Sequence, residues 1–368
     1  MAVGRPVGAV ARFIIGAMRR VVFVLSVLAA CGGTEAAVDG GPPDAAPLPD
    51  ATPFPDAALV DASFEPMTLL DTGLYADLAT EALAAGVVEY SVNYPLWADG
   101  ASKRRFVFLP PGATINTANM DQWSLPQGTR LWKEFSVNGV KIETRLLWKQ
   151  GPTDEDWYTI SFAWDESGTD AIAAPLGVKN ALGTDHDIPR ETDCKTCHDR
   201  LPSFALGFGA LQLDHEDGPI SLVGLADAGR LSAPPAGIVA PVFPLPGDDT
   251  ARAALGYLHG NCGPCHNPAS DVQIRTPLEW HLETASLDTV EDTTIFRTAV
   301  GVPPAIPTPP KYTAVIEPGQ PEASVAVFRM SQRDPLQDSL VPMPPLATEE
   351  QDLDGIEAVT AWAASLSQ

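Results

Sequence analysis

The chain has 368 residues, enough for about two domains, and its 23 basic and 47 acidic side chains give a formal net charge of -24. That excess excludes nucleic acid as a partner, because a polyanion would be repelled. A basic protein partner would instead be steered toward the chain.

The first 30 residues read as an export signal. Residues 21–30 are a ten-residue apolar run, with Arg19 and Arg20 in front and Arg5 and Arg12 further upstream. Such a run is too short to span a bilayer as a mature helix. It ends in Leu28-Ala29-Ala30-Cys31, which resembles the lipobox of bacterial lipoproteins, with Cys31 as the lipidated residue. Met18 is an alternative start. All four arginines precede Cys31 and no acid does, so cleavage leaves a chain near -28. Residues 31–66 are rich in Ala, Pro, Asp and Gly and carry seven acids but no Lys or Arg. That composition cannot bury a core and reads as a disordered acidic tether. Gly32 is not the Asp that in enteric bacteria tends to hold a lipoprotein in the inner membrane, so the expectation leans to the outer membrane or the cell surface.

Residues 67–190 contain no Cys and read as a β-rich domain. Strand-like runs lie at 104–109, 131–137, 140–148 and 157–164, and a short helix is expected within 67–83. Asn138-Gly139 between two alternating runs is a strong hairpin signal. In the second of these runs Val140, Ile142 and Leu146 would face one side, and Lys141, Glu143 and Arg145 the other. From residue 191 strand alternation fades. Residues 191–249 form one segment, and 250–368 a helical one. Ala251, Ala254, Leu255 and Leu258 share one face of a helix that runs into Cys262. Near the end, Thr348-Glu349-Glu350-Gln351 resembles a capping box before Leu353, Ile356, Val359, Trp362 and Leu366. The predicted fold class is α+β: an antiparallel β-sandwich-like N-terminal domain, then a mainly α domain.

Four of the five cysteines fall in two copies of one pentapeptide, Cys194-Lys195-Thr196-Cys197-His198 and Cys262-Gly263-Pro264-Cys265-His266. Cys-x-x-Cys-His is the attachment sequence of c-type haem, two thiols for the two vinyl groups and an adjacent His for the iron. Two covalently bound haem c groups are therefore expected, with His198 and His266 as proximal ligands. An upstream export signal fits, because thioether attachment needs an extracytoplasmic assembly system. A zinc site built from the four cysteines would leave both histidines without a role.

The run from Tyr257 to His266, the segment Met343-Pro344-Pro345 and the last helix with Trp362 resemble the cytochrome c fold. That resemblance implies Met343 as the distal ligand beside His266, with Gly256 and Tyr257 where the first and last helices cross. Met330 reads as core. A Met before Pro-Pro sits on a stiff loop suited to holding sulfur at an iron. The loop from His266 to Met343 is long for the fold, which points to an insertion around residues 271–320. No Met lies between His198 and Met330, so the first haem's sixth ligand falls to His215, His186, His259 or His281, or to an open position. His215 is the nearest downstream.

Asn93-Tyr94-Pro95-Leu96-Trp97-Ala98-Asp99-Gly100-Ala101-Ser102-Lys103-Arg104-Arg105-Phe106, together with Gly73-Leu74-Tyr75 and residues 142–147, resembles a family of exported dihaem c-type cytochromes of mostly unassigned role. The resemblance covers most of residues 67–368 and is silent on chemistry; the two haem sites, the His/Met iron and the lack of a recognisable substrate pocket point to electron transfer with a redox protein partner, with no catalytic residues. Lys103, Arg104 and Arg105 read as a solvated face, with contact to haem propionates as the alternative. Two rival functions stand beside electron transfer. One is a dihaem peroxidase with an open first haem, against which the 68-residue spacing of the motifs counts. The other is a binding module in which the β domain grips a ligand and the haems relay.

Overall fold

A computed structural model of the chain describes residues 65–334, 340–345 and 348–367. The export signal, Cys31 and the tether up to residue 64 lie outside the described residues. Strand β1 (Tyr75–Asp77) and β2 (Ala82–Leu83) make a two-stranded ribbon. They are followed by β3 (Val87–Glu89), β4 (Ser102–Phe108), β5 (Arg130–Val137), β6 (Val140–Lys149), β7 (Trp157–Trp164) and β8 (Ala171–Ala173). These six form an antiparallel meander in which every strand pairs with its sequence neighbour. The antiparallel expectation and the mixed α+β class hold. The second layer, however, is a short ribbon rather than a second sheet of similar size. Residues 67–83 hold no α-helix: a 3-10 turn at Leu70–Thr72 is ended by left-handed Gly73, and the chain then extends into β1. Extension serves Tyr75, whose hydroxyl donates to buried Glu134 at 2.7 Å.

Asn138 and Gly139 both have positive φ, 52° and 79°, as a two-residue hairpin turn requires. Just inside that turn the register slips between Phe135 and Ser136, which pair with Glu143 and Lys141 and leave Ile142 without an opposite residue. The bulge corrects the simple alternation expected for β6. Lys141 joins Glu134 on one face, over the Tyr75 and Trp164 rings, while Glu143 and Arg145 keep to the other. Ile142 is diverted to a small cluster with Ala181 and Ile188. One extra residue is enough to do this, since side chains alternate with a period of two.

The two sheet faces bury separate cores. Phe106, Trp132, Leu146, Ile160 and Phe162 pack under the ribbon with Leu69, Leu74 and Tyr75. On the opposite face Val107, Leu131, Leu147 and Trp157 pack against Phe204, Phe208, Leu213 and Leu222. That second core is thus shared between the sheet and the segment after the first pentapeptide.

Six helices are described: α1 (Glu191–His198), α2 (Leu222–Asp227), α3 (Asp249–Asn261), α4 (Thr294–Ala299), α5 (Val325–Met330) and α6 (Leu353–Ser365). Helix α3 starts at Asp248, whose carboxylate accepts from Ala251 N at 2.9 Å. Its apolar face buries Ala251, Ala254, Leu255 and Leu258 in a third core with Met330, Val359 and Trp362. Helix α6 is capped by Asp352, which accepts from Gly355 N at 3.0 Å, so the cap lies four residues beyond the expected Thr348. The hydroxyl of Thr348 instead donates to Pro344 O.

Residues 93–99 stitch these parts together. Asn93 Nδ2 donates to Leu211 O and Asp214 O, and the Gln212 side-chain amide pairs with both backbone groups of Tyr94 at 3.0 Å. Trp97 N donates to Asn261 Oδ1 at 2.7 Å, one residue before Cys262. Asp99, in a left-handed turn with Gly100, accepts from Glu349 N and Glu350 N through Oδ1. The stretch that carried the family resemblance is therefore a seam between the sheet, the two pentapeptide segments and the C-terminal region.

Candidate functional site

Helix α1 places Cys194 and Cys197 one turn apart, so both thiols share a face. The helix lies against β7, where Cys194 interacts with Thr159. His198 ends the helix. The chain then turns back, and the His198 Nδ1–H donates to Phe204 O at 2.5 Å. Phe204 covers the imidazole, with ring centroids 5.0 Å apart, and stacks on Trp157 at 5.4 Å. Burial, then Lys133 and Arg145, lower the His198 pKa to about 3. The ring is therefore neutral with its proton on Nδ1, which leaves the Nε2 lone pair for a metal.

The second motif follows α3. Cys262 caps the helix, and His266 N bonds back to Cys262 O at 2.8 Å in a tight turn. Gly263 permits the turn: a Cβ there would lie 2.6 Å from His259 O and 2.9 Å from His281 Cα. His266 is buried, packs on Trp280 at 5.4 Å, and has its pKa lowered to about 4 by burial, then Arg329 and Arg200. Its Nδ1 is buried without a hydrogen-bond partner, unlike that of His198.

The two motifs meet. The thiols of Cys197 and Cys265 interact directly. That contact, opposed by burial and helped by Arg200, lowers the Cys265 pKa to about 6. Asn267 Nδ2 donates to Arg200 O at 3.0 Å and to Gly263 O and Pro264 O within its own turn. Arg200 pairs with Asp271 at 2.7 Å. All four motif cysteines are half-buried and free of disulfides. Among the described residues no three His, Cys, Asp or Glu side chains converge on a common metal position. The donor set in each motif, two unpaired thiols and a neutral imidazole, fits a thioether-linked haem. At His198 the orienting hydrogen bond is already in place.

Met343 lies beyond α5, half-buried, with its N–H bonded to Arg329 O at 2.9 Å. The Arg329 guanidinium also donates to Val341 O and acts electrostatically on His266. The loop carrying Met343 is thus fastened to a helix whose arginine senses the second motif. Met330 is core, 4 % exposed.

The four candidate histidines separate clearly. His215 uses both ring nitrogens on backbone, Nε2 with Ser91 O at 3.1 Å and Nδ1 accepting from Asp217 N at 3.2 Å. Ligation by His215 would require giving one of these up. His186 is held by Glu143 at 2.8 Å and packs on Phe135. His259 and His281 lie together, centroids 4.7 Å apart, at a pocket that also touches Leu201, Gln212 and Pro264. The Nδ1 of His259 accepts from Leu282 N at 3.0 Å.

Sequence reasoning took Lys103, Arg104 and Arg105 together as one solvated face and did not single out Lys133, whose charge acts on His198. Arg104 is exposed and paired with Glu89, as a solvated residue should be. Lys103 and Arg105, on the other face of β4, are half-buried. Their alternation with Arg104 along a strand is the signal that could have separated them.

In comparisons with family models, characterised proteins and solved structures, nothing matches this chain.

Proposed function

We propose that the protein is a dihaem c-type cytochrome that carries electrons, with haem bound covalently at Cys194/Cys197 and at Cys262/Cys265. The observation that carries this reading is the meeting of the two pentapeptides, 68 residues apart in sequence, at Cys197 and Cys265 in one folded unit. Electron exchange between two centres needs little besides proximity, and the motifs supply it. His198 and His266 serve as proximal ligands and Met343 as the distal ligand of the second iron. The first iron has a different ligation. His215 would have to give up a backbone bond to serve it, whereas His259 has Nδ1 engaged by Leu282 N and keeps Nε2 for the role. A bound haem supplies one-electron chemistry, and Met ligation raises its potential relative to His. The chain orients the imidazoles, excludes water with Phe204 and Trp280, and holds the Met343 loop through Arg329. The reading extends to a lipoprotein anchored through Cys31, facing the periplasm on the outer membrane, with a basic redox protein as partner.

The test is maturation of the full chain by a c-type assembly system. Intact mass should show two added haems, one lost in C194A/C197A and the other in C262A/C265A. Met343→Leu should lower the potential of one haem, and Met330→Leu neither. No added mass at either motif would end the proposal. Peroxidase activity is the rival with a specific observation behind it, the pocket at Gln212, His259 and His281. Steady turnover with hydrogen peroxide would favour it.

A further inference from the structure

The two faces of the sheet treat their cations differently. Under the ribbon, Arg104 and Lys141 meet Glu81, Glu89 and Glu134, so each charge has an opposite partner. On the face toward α1, strand register places Arg105 opposite Lys133 and Lys133 opposite Arg145, a row of three like charges across adjacent strands. Lys103 stands beside this row on the same face, opposite Phe135. Like charges directly opposite one another oppose folding. Only Arg145 has a carboxylate, the doubly bonded Glu143 at 2.6 and 2.9 Å. Among the described residues no acid lies within ion-pair distance of Lys103, Arg105 or Lys133. Their side-chain hydrogen bonds go to the carbonyls of Leu96, Lys103 and Leu206.

The three unmatched cations line one pocket with Tyr94, Gln212 and Gly260, about 320 Å3 of atom-free space, part of it open to solvent. The row faces the first motif. Lys133 and Arg145 act on His198, and both sense Cys194 and Cys197. The charges that perturb His266 are Arg329 and Arg200 instead. Half-buried cations without counterions, gathered at a pocket, call for an anion to complete them.

We propose that Lys103, Arg105 and Lys133 form a carboxylate-binding site whose ligand is the propionate edge of the haem attached at Cys194 and Cys197. The assignment rests on the dihaem reading above. It makes these residues positioning and potential-setting groups for one haem, and gives the sheet a chemical role as the wall of its pocket.

The experiment uses full-length protein in which intact mass has first shown both haems, so that failure of the dihaem reading is seen separately. Spectroelectrochemical titration then compares wild type with Lys133→Gln, Arg105→Gln and, as a control on the opposite face, Arg104→Gln. Removing a cation beside the propionates favours the oxidised iron. Lys133→Gln and Arg105→Gln should each lower the reduction equilibrium constant of the same haem about tenfold, 59 mV for one electron. The second haem and the Arg104→Gln protein should stay at wild-type values, and Lys133→Arg should recover most of the loss. If both variants fail to fold, Lys103→Gln carries the same expectation. Unchanged potentials in the folded variants would overturn the proposal. So would a shift of the wild-type potential by added succinate that Arg105→Gln abolishes, since the site would then serve a free carboxylate.

Discussion

Lys133 shows how one side chain reports on what the pocket holds. Burial, then Arg105 and Arg145, lower its pKa to about 7, against roughly 10.4 in an unfolded chain. Below about 7 it is charged in both states and the folded chain bears the whole penalty, whereas above about 10.4 it is neutral in both and the penalty vanishes. The haem-free protein should therefore gain stability as pH rises between those limits. Denaturant unfolding of haem-free wild type and Lys133→Met should show a gap that is large near neutral pH and small in alkali, with the variant the more stable. Glu143 obeys the opposite sign. Burial alone would raise its pKa, but Arg145 and His186 overcome it and hold the carboxyl down at about 2. Its contribution is present at neutral pH and is lost as the solution is acidified toward that value. Glu143→Gln strands Arg145 in the row of cations, and should cost about 3 kcal/mol or more in unfolding free energy.

At the scale of elements, close approach between helices sets the tolerances. A Cβ on Gly355 of α6 would fall 2.1 Å from the Tyr257 ring, so α3 and α6 touch at this pair. Gly256 faces Tyr94 instead, 2.3 Å from a built Cβ, so the expected pairing of Gly256 and Tyr257 at one crossing divides between two neighbours. Gly355→Ala should cost about 1–3 kcal/mol through overpacking, and Asp352→Ala about 1 kcal/mol through loss of the cap. Both are read as a lowered denaturation midpoint. The long strands, the Asn138-Gly139 turn and helix α3 were legible in the sequence because each follows from a local rule: alternation, positive φ, or a 3.6-residue face. The bulge at Ile142 was not, because it depends on what Lys141 and Glu134 meet across the sheet. The cap of α6 was misplaced for a related reason. Thr348 and Asp352 both suit the role, and only tertiary contacts decide between them. The pentapeptides were visible as chemistry, but their contact at Cys197 and Cys265 joins segments with no shared periodicity.

Among the described residues the sheet and the segment after the first pentapeptide share a core, since Val107, Leu131 and Leu147 pack against Phe204, Phe208 and Leu213. Removing residues 67–185 would uncover Phe204 and Leu213 and take away the support of His198. On the dihaem proposal, such a truncated chain should lose the haem at Cys194 and Cys197, as intact mass would show. A freely separable binding module would leave that haem in place. The acidity of the chain acts at this scale too. On the proposed electron-transfer reading, association with a basic redox partner should slow steeply as salt is added, in stopped-flow measurements of electron exchange.

The Asp99 carboxylate acts as a strap. Its two acceptor bonds reach residues 349 and 350, which are 250 and 251 positions away in sequence. The same short segment holds Asn261, next to Cys262, through Trp97 N. Opening that strap should loosen the approach to Cys262 and the entry to the last helix together.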